Sequence, residues 1–346
     1  MNFRSIDEYD FALPADLIAD FPRENRSDAR LLYYKYETDD SLHKTFCDIC
    51  NFVNSGDVII LNDTKVIPAR MNLIKSSGGA IEILFMKNES NKVFRVIYKS
   101  SRPPKINSIL TSNGLKFQVS EVSGNMLLLI NLNSSDILEI LNKHGDIPLP
   151  KYIKRDSTLL DREKYQTVYA DKEGSVAAPT AGLHFTKELI HKLETKGVKI
   201  EYVTLHISYN TFKPIAFNNY MNHEIGYEQF SINEKIFNII DNAKSNKNKV
   251  IAVGTTVTRV LEHCYQNKIQ TTFSGKTDLF IHPGFQFKAI NCLITNFHLP
   301  KSSLLLLVAA FVGRSRILSL YKMAIDKKYK FYSYGDSMFL NKNHEI

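Results

Sequence analysis

The chain has 346 residues, a formal net charge of +8 and four cysteines. Its length exceeds the usual single-domain range of roughly 100–200 residues, so two units are expected, and four scattered cysteines in a chain of this size argue against a disulfide framework. The longest apolar run, Leu304 to Val312, is far shorter than the roughly 20 residues of a membrane-spanning helix, so no membrane contact is expected; the acidic start, MNFRSIDEYDFALP, lacks the apolar stretch of a secretory signal and points to the cytoplasm.

The first chemical motif along the chain is CDIC, with Cys47 and Cys50 at redox or zinc spacing. No second pair completes a four-ligand site, so the two are read as small hydrophobes on an element between His43 and Val53. The stretch SGDVIILNDTKVIPARM then carries a buried strand. From Met71 to Leu132 short β-rich runs (AIEILFM, KVFRVIYKS, LKFQVSEV, MLLLINL) alternate with turn clusters such as SSGG, SRPPK and TSNG, the pattern of a compact all-β module, most simply a small barrel. A short helix over Asp136 to Lys143, closed by Gly145, follows.

From Tyr165 onward apolar strands alternate with capped helices. Thr186 is placed to cap a helix that ends near Gly197, and VKIEYVTLHIS continues as a strand. Ser231 and Glu234 have capping-box spacing ahead of IFNIIDNAK. VIAV runs into Gly254-Thr255-Thr256 and a helix; TDLFIH and AINCLIT read as strands, and helices are expected at Leu304 and over Ser319 to Lys328. The expected fold is therefore α/β: an α/β domain over 1–70 and 146–346, with an all-β barrel inserted at 71–145.

Ligand sites in α/β folds form where loops leave the carboxyl ends of strands. Five polar clusters occupy such positions: LNDTK, PTAGLHFT, HISYNTF, GTT and NFHLPKSS. The Gly254-Thr255-Thr256 turn opens a helix and favours an anion or carboxylate, or is a plain tight turn; Arg259 follows one helical turn later. His184, His206, His282 and His298 lie near apolar runs, but none are paired at ligand spacing. Buried hydrogen-bonded histidines, a shared organic-substrate pocket and a metal site are the three readings, in that order. The positive charge suits a polyanion such as nucleic acid, although dispersed lysines fit a solvated surface equally well.

Together these stretches resemble the S-adenosylmethionine:tRNA ribosyltransferase-isomerase family of queuosine biosynthesis. The resemblance is carried by YDFALPADLIADFPRENRSDARLL, GDVIILNDTKVIPARM, DREKYQTVYADKEGSVAAPTAGLHFT, VIAVGTTVTRVLE, the long GKTDLFIHPGFQFKAINCLITNFHLPKSSLLLLVAAFVGR and YKFYSYGDSM. It implies a barrel-like α/β domain with a small inserted Greek-key-like β-barrel. The implied reaction moves the ribosyl group of S-adenosylmethionine onto the aminomethyl group of a 7-deazaguanine at the tRNA wobble position. Adenine and methionine leave, and the product is epoxyqueuosine. S-adenosylmethionine is then a co-substrate, tRNA the partner, and neither a prosthetic group nor a metal is required; a monomer is expected.

The sulfonium acidifies the adjacent ribose carbon, so the reaction needs a base there and a group that helps adenine depart. The resemblance places Asp63, His184, Asp278 and His298 as candidates for these roles, with turn capping as the alternative for both aspartates. Thr180, Gly182, Thr186, His206, Tyr209, Thr211, Glu224, Thr255, Thr256 and Arg259 are the implied substrate-binding set. Members usually carry His-Val-Gly-Ala-Gly-Thr-Phe where this chain has His206-Ile-Ser-Tyr-Asn-Thr-Phe212, and His-x-Met-His-x-Glu where it has Asn219-Tyr-Met-Asn222-His223-Glu224. Two glycines and two histidines are thus replaced, which leaves a tRNA-binding relative with weakened or lost catalysis as the alternative reading. A Rossmann-type methyltransferase lacks its glycine fingerprint here.

Overall fold

A computed structural model describes residues 4–208 and 215–342. The amino-terminal part forms strands β1 (Arg30–Lys35), β2 (Asp40–Thr45), β3 (Val58–Asn62) and β4 (Thr64–Val66). Six strands follow with no helix between them: β5 (Arg70–Lys75), β6 (Ala80–Asn88), β7 (Val93–Lys99), β8 (Ile109–Ser112), β9 (Leu115–Ser123) and β10 (Met126–Asn131). Helices α1 (Ile137–His144) and α2 (Leu159–Lys164) lead to β11 (Lys172–Ser175) and α3 (Lys187–Thr195). The remainder runs β12 (Lys199–Leu205), β13 (Glu228–Ile232), α4 (Lys235–Ser245), β14 (Val250–Val253), α5 (Thr255–Gln266) and β15 (Phe273–Thr277). It ends with β16 (Cys292–Asn296), α6 (Ser303–Val312), α7 (Arg314–Asp326) and β17 (Ser337–Asn341).

Nine strands make one sheet in the order β15-β13-β12-β3-β14-β16-β17-β1-β2. Its centre, β12-β3-β14-β16, is parallel throughout. Strands covered on both faces must be apolar at every position, and β3, β14 and β16 are buried along their whole length. Because the four run the same way, their carboxyl ends share one edge of the sheet. The polar residues that end two of them, Asn62 and Asn296, are buried there too.

The β5 to β10 strands close into a six-stranded antiparallel barrel in the cyclic order β10-β7-β6-β5-β8-β9. Phe94 and Phe117 meet edge to face inside it, with ring centroids 5.6 Å apart. α1 plugs one end through Ile137, Ile140 and Leu141. Asp136 caps that helix by accepting from the Glu139 amide at 2.9 Å. Gly145 ends it where a side chain has no room: a Cβ would lie 1.9 Å from the Pro68 carbonyl oxygen. The mixed α/β architecture with an inserted closed barrel is the one expected.

Several local expectations are corrected. Ser231 lies inside β13 and forms no capping box with Glu234; the α4 start is held instead by Asn233, whose Oδ1 accepts from the Lys235 amide at 3.0 Å. The strand expected over TDLFIH occupies Phe273–Thr277, and the last helix starts earlier, at Arg314. Of the CDIC pair only Cys50 is buried; Cys47 is exposed. Among the described residues no single helix is long and apolar enough to cross a membrane; α6 and α7 meet at a bend of 112°.

Candidate functional site

Four of the five polar strand exits, those at Thr180, Ile207, Gly254 and Asn296, line one cleft, and the fifth, LNDTK, is tied to it through Asn62. Asn62, at the end of β3, donates from Nδ2 to the Leu205 carbonyl at 3.0 Å and to Thr256 Oγ1 at 3.3 Å, while its Oδ1 accepts from the Leu205 amide at 3.0 Å. Asn296, at the end of β16, accepts on Oδ1 from Thr180 Oγ1 at 3.0 Å. The first set joins the ends of β3 and β12 to the Thr256 turn, the second joins β16 to the Thr180 turn, and the Gly254 amide, donating to the Ile294 carbonyl at 2.7 Å, links the two. Between them opens a cleft of about 580 Å³, with its mouth included. Thr180, Thr255, Thr256, Thr295, Asn296 and His298 give it polar groups, and Tyr152, Tyr332, Phe297 and Leu304 give it apolar walls.

Gly254 makes the entry into α5 possible: its φ of 92° is a backbone state that side chains disfavour. The first N–H groups of α5 have no intrahelical acceptors, so the helix turns partial positive charge toward the cleft. Tyr332 also sits at positive φ, 71°. For an aromatic residue this is a costly conformation, held by bonds around it: its carbonyl accepts from Asn296 Nδ2 at 3.2 Å and from the Gly335 amide at 3.0 Å.

Two histidines flank Asn296. His184 is 4% exposed; its Nε2 lies 3.1 Å from Asn296 Nδ2, its ring also donates to the Arg26 backbone, and it packs against Phe46 at 5.0 Å. Burial, reinforced by the nearby Arg23 and Arg26 charges, pushes it down to about 3. His298 lines the cleft itself, with Nε2 2.7 Å from Thr295 Oγ1, and burial holds it at about 3 as well. Both imidazoles are therefore neutral near pH 7.

The other expected site residues lie elsewhere. Asp63 and His206 form a second cluster beside β4 and β11: Thr204 Oγ1 donates to Asp63 Oδ1 at 2.6 Å, and Thr64 Oγ1 lies 2.8 Å from His206 Nδ1. Burial raises the Asp63 carboxyl against the opposing Thr204 bond. Arg259 is a buried residue of α5, where it pairs with Glu228 and donates from Nε to the Leu279 carbonyl at 3.0 Å. Thr186 caps α3 by accepting from the Leu189 amide at 3.1 Å. Gly182 accommodates a tyrosine: a Cβ there would lie 2.0 Å from Tyr169 Oη. Asp278 and Glu224 are exposed, and His282 packs beside Tyr220 at 5.8 Å. Tyr209 and Thr211 lie outside the described residues.

The sequence reading did not single out Asn62, Asn296 or Glu228. The two asparagines carried a signal, an asparagine ending an apolar strand, twice, within loops already marked as exits; Glu228 carried none. Among the described residues no group of three or more His, Cys, Asp or Glu is placed to hold a metal ion.

Comparison with known proteins now adds to this geometry. Residues 6–340 match the family model described as queuosine biosynthesis protein. The S-adenosylmethionine:tRNA ribosyltransferase-isomerase of Vesicomyosocius okutanii is 46% identical over 98% of this chain and 99% of its own length. Proteins of that name from Francisella tularensis and Legionella pneumophila are 41% and 42% identical, over 98% and 96% of this chain and 99% and 98% of theirs. The crystal structure of S-adenosylmethionine tRNA ribosyltransferase from Thermotoga maritima superposes with a TM-score of 0.56 at 30% identity, covering 96% of this chain and 99% of that one.

Proposed function

The chain belongs to the queuosine biosynthesis protein family, and we propose that it transfers and isomerises the ribosyl group of S-adenosylmethionine onto tRNA in the cleft at the carboxyl edge of the sheet. The acceptor is the aminomethyl group of the wobble deazaguanine; adenine and methionine are released. The observation that carries this reading is the convergence of four strand exits on one cleft in a chain matched to these enzymes along almost its whole length. Nothing in the matches favours the weakened relative. The proposed place of action is the cytoplasm, with its tRNA.

His298 is the proposed base. It is the one imidazole among the described residues that line the cleft, and a neutral ring has a lone pair to take the proton from the carbon beside the sulfonium. The rings of Tyr152 and Tyr332 supply π faces suited to a sulfonium or an adenine. His184 is reassigned from acid or base to positioning: both ring nitrogens are engaged with protein groups, so it orients Asn296 from behind the cleft wall. Asp63 and Asp278 keep no part in this proposal, because neither lines the cleft.

The test is to mix the protein with S-adenosylmethionine and a tRNA that carries the aminomethyl deazaguanine and to assay free adenine. Release that depends on both substrates is expected. Binding of both without adenine release would instead identify the weakened relative.

A further inference from the structure

The hydrogen bonds around the cleft have fixed directions, and the directions carry information. Asn296 Nδ2 points at two backbone carbonyls, those of Tyr332 at 3.2 Å and Asp336 at 3.5 Å, which identifies it as the nitrogen end. His184 must then accept from it on Nε2. Asn296 Oδ1 is left as the acceptor for Thr180, whose hydroxyl hydrogen is thereby used. Thr180 offers the cleft lone pairs only.

Asn62 sets the reverse polarity. Its Oδ1 accepts from the Thr64 amide at 3.1 Å and the Leu205 amide at 3.0 Å, so its Nδ2 donates to Thr256 Oγ1 at 3.3 Å. Thr256 is occupied as an acceptor and keeps its hydrogen for the cleft. Beside it Thr255, 7% exposed, brings to the cleft a hydroxyl with no hydrogen-bond partner among the described residues. The two loops touch: a Cβ on Gly254 would lie 3.6 Å from the Ala181 Cβ. An acceptor and a donor group thus line the same cleft, on neighbouring loops at the start of α5.

A diol has no need of such a device, because each hydroxyl can donate or accept. An amino-acid zwitterion does, because its ammonium only donates and its carboxylate only accepts. We propose that Thr180 on one side and Thr255 and Thr256 with the α5 amides on the other form the subsite for the α-amino carboxylate of S-adenosylmethionine, and that Asn296 and Asn62 are the positioning residues that set their polarity. This rests on the proposed function. It gives methionine-end recognition without a charged side chain among the described residues that line the cleft, in keeping with a product that must leave after transfer.

Calorimetry with three ligands tests it: S-adenosylmethionine, its decarboxylated analogue, and methylthioadenosine, which lacks the amino-acid end. Thr180→Val and Thr256→Val, close in shape to the original, are expected to weaken S-adenosylmethionine about 10–100-fold, the range for hydrogen bonds to charged groups. Methylthioadenosine should bind these variants as it binds the wild type, and Thr180→Ser should restore the lost affinity. Asn296→Ala should match Thr180→Val, and the double variant should be no worse than either alone. Equal losses for S-adenosylmethionine and methylthioadenosine would assign the threonines to the nucleoside and overturn the subsite, as would unchanged affinity in Thr180→Val. A wild type that binds neither ligand would sink the proposed function itself.

Discussion

At the residue scale the question is what a buried, neutral histidine can do. His298 and His184 have the same depressed titration but different surroundings: one lines the cleft, the other is saturated by the Arg26 backbone and Asn296. His298→Gln is therefore expected to lower turnover by about 10²–10⁴-fold with S-adenosylmethionine affinity nearly unchanged, the size usual for a lost acid/base group. Single-turnover adenine release beside ligand titration separates the two quantities, and intact turnover would remove His298 as the base. Both histidines also make stability depend on pH. The unfolded chain protonates them below their ordinary value near 6.5, whereas the folded protein resists until about 3. Their contribution is fully present above about pH 6.5 and is lost as the pH falls toward 3, on the order of several kcal/mol for each histidine over that span. The denaturation midpoint of the wild type should fall between pH 7.5 and 5, and His184→Gln should fall less steeply.

Among elements, the parallel centre of the sheet was the most legible, because strands buried on both faces leave uninterrupted apolar runs such as VIIL and VIAV. The β insert was legible through its turn clusters. β15 was misplaced because its FSGKT is polar and short, whereas the apolar LFI that follows is core-facing chain without ladder bonds; the Leu279 carbonyl there serves Arg259. Arg259 itself read as a ligand group from its place one turn into α5. What the sequence concealed is Glu228, 31 positions away along the chain, whose Oε1 also accepts from the Ser208 amide at 2.8 Å. The pair therefore fastens β13 and α5 to the start of the loop after β12. Removing one partner from a buried pair leaves a charge without compensation, at a typical cost of about 3–5 kcal/mol. Glu228→Gln, which keeps the shape, should show a large part of that loss in urea unfolding; a change within about 0.5 kcal/mol would mean that the pair carries no structural burden. Asn62 and Asn296 were hidden for a related reason. An asparagine after a strand looks like a turn residue until the parallel register brings two such ends to one edge.

For the whole molecule, the proposed division at residues 71 and 145 is supported by the way the insert leaves and returns: the Arg70 amide donates to the Asp146 carbonyl at 3.1 Å, and the reverse bond is 2.8 Å. Two chain crossings that close together let a barrel be added without disturbing the sheet, and the cleft draws none of its lining from 71–145. In the proposed reaction the wobble base would share the cleft with S-adenosylmethionine, and any contact of the barrel with tRNA would lie outside it. A net charge of +8 spread over both parts suits a partner that is a polyanion, since each neutralised phosphate releases condensed counterions. For a single-stranded loop the logarithm of affinity should fall by about 0.7 per phosphate contacted for each tenfold rise in salt. S-adenosylmethionine, recognised through neutral threonines, should bind with little salt dependence. Titrating both substrates between 50 and 200 mM salt, roughly the range over which such effects are large, sets the two against each other in one protein. A tRNA affinity as flat as that of S-adenosylmethionine would mean that recognition runs through bases alone, and would remove the positive surface from the account of binding.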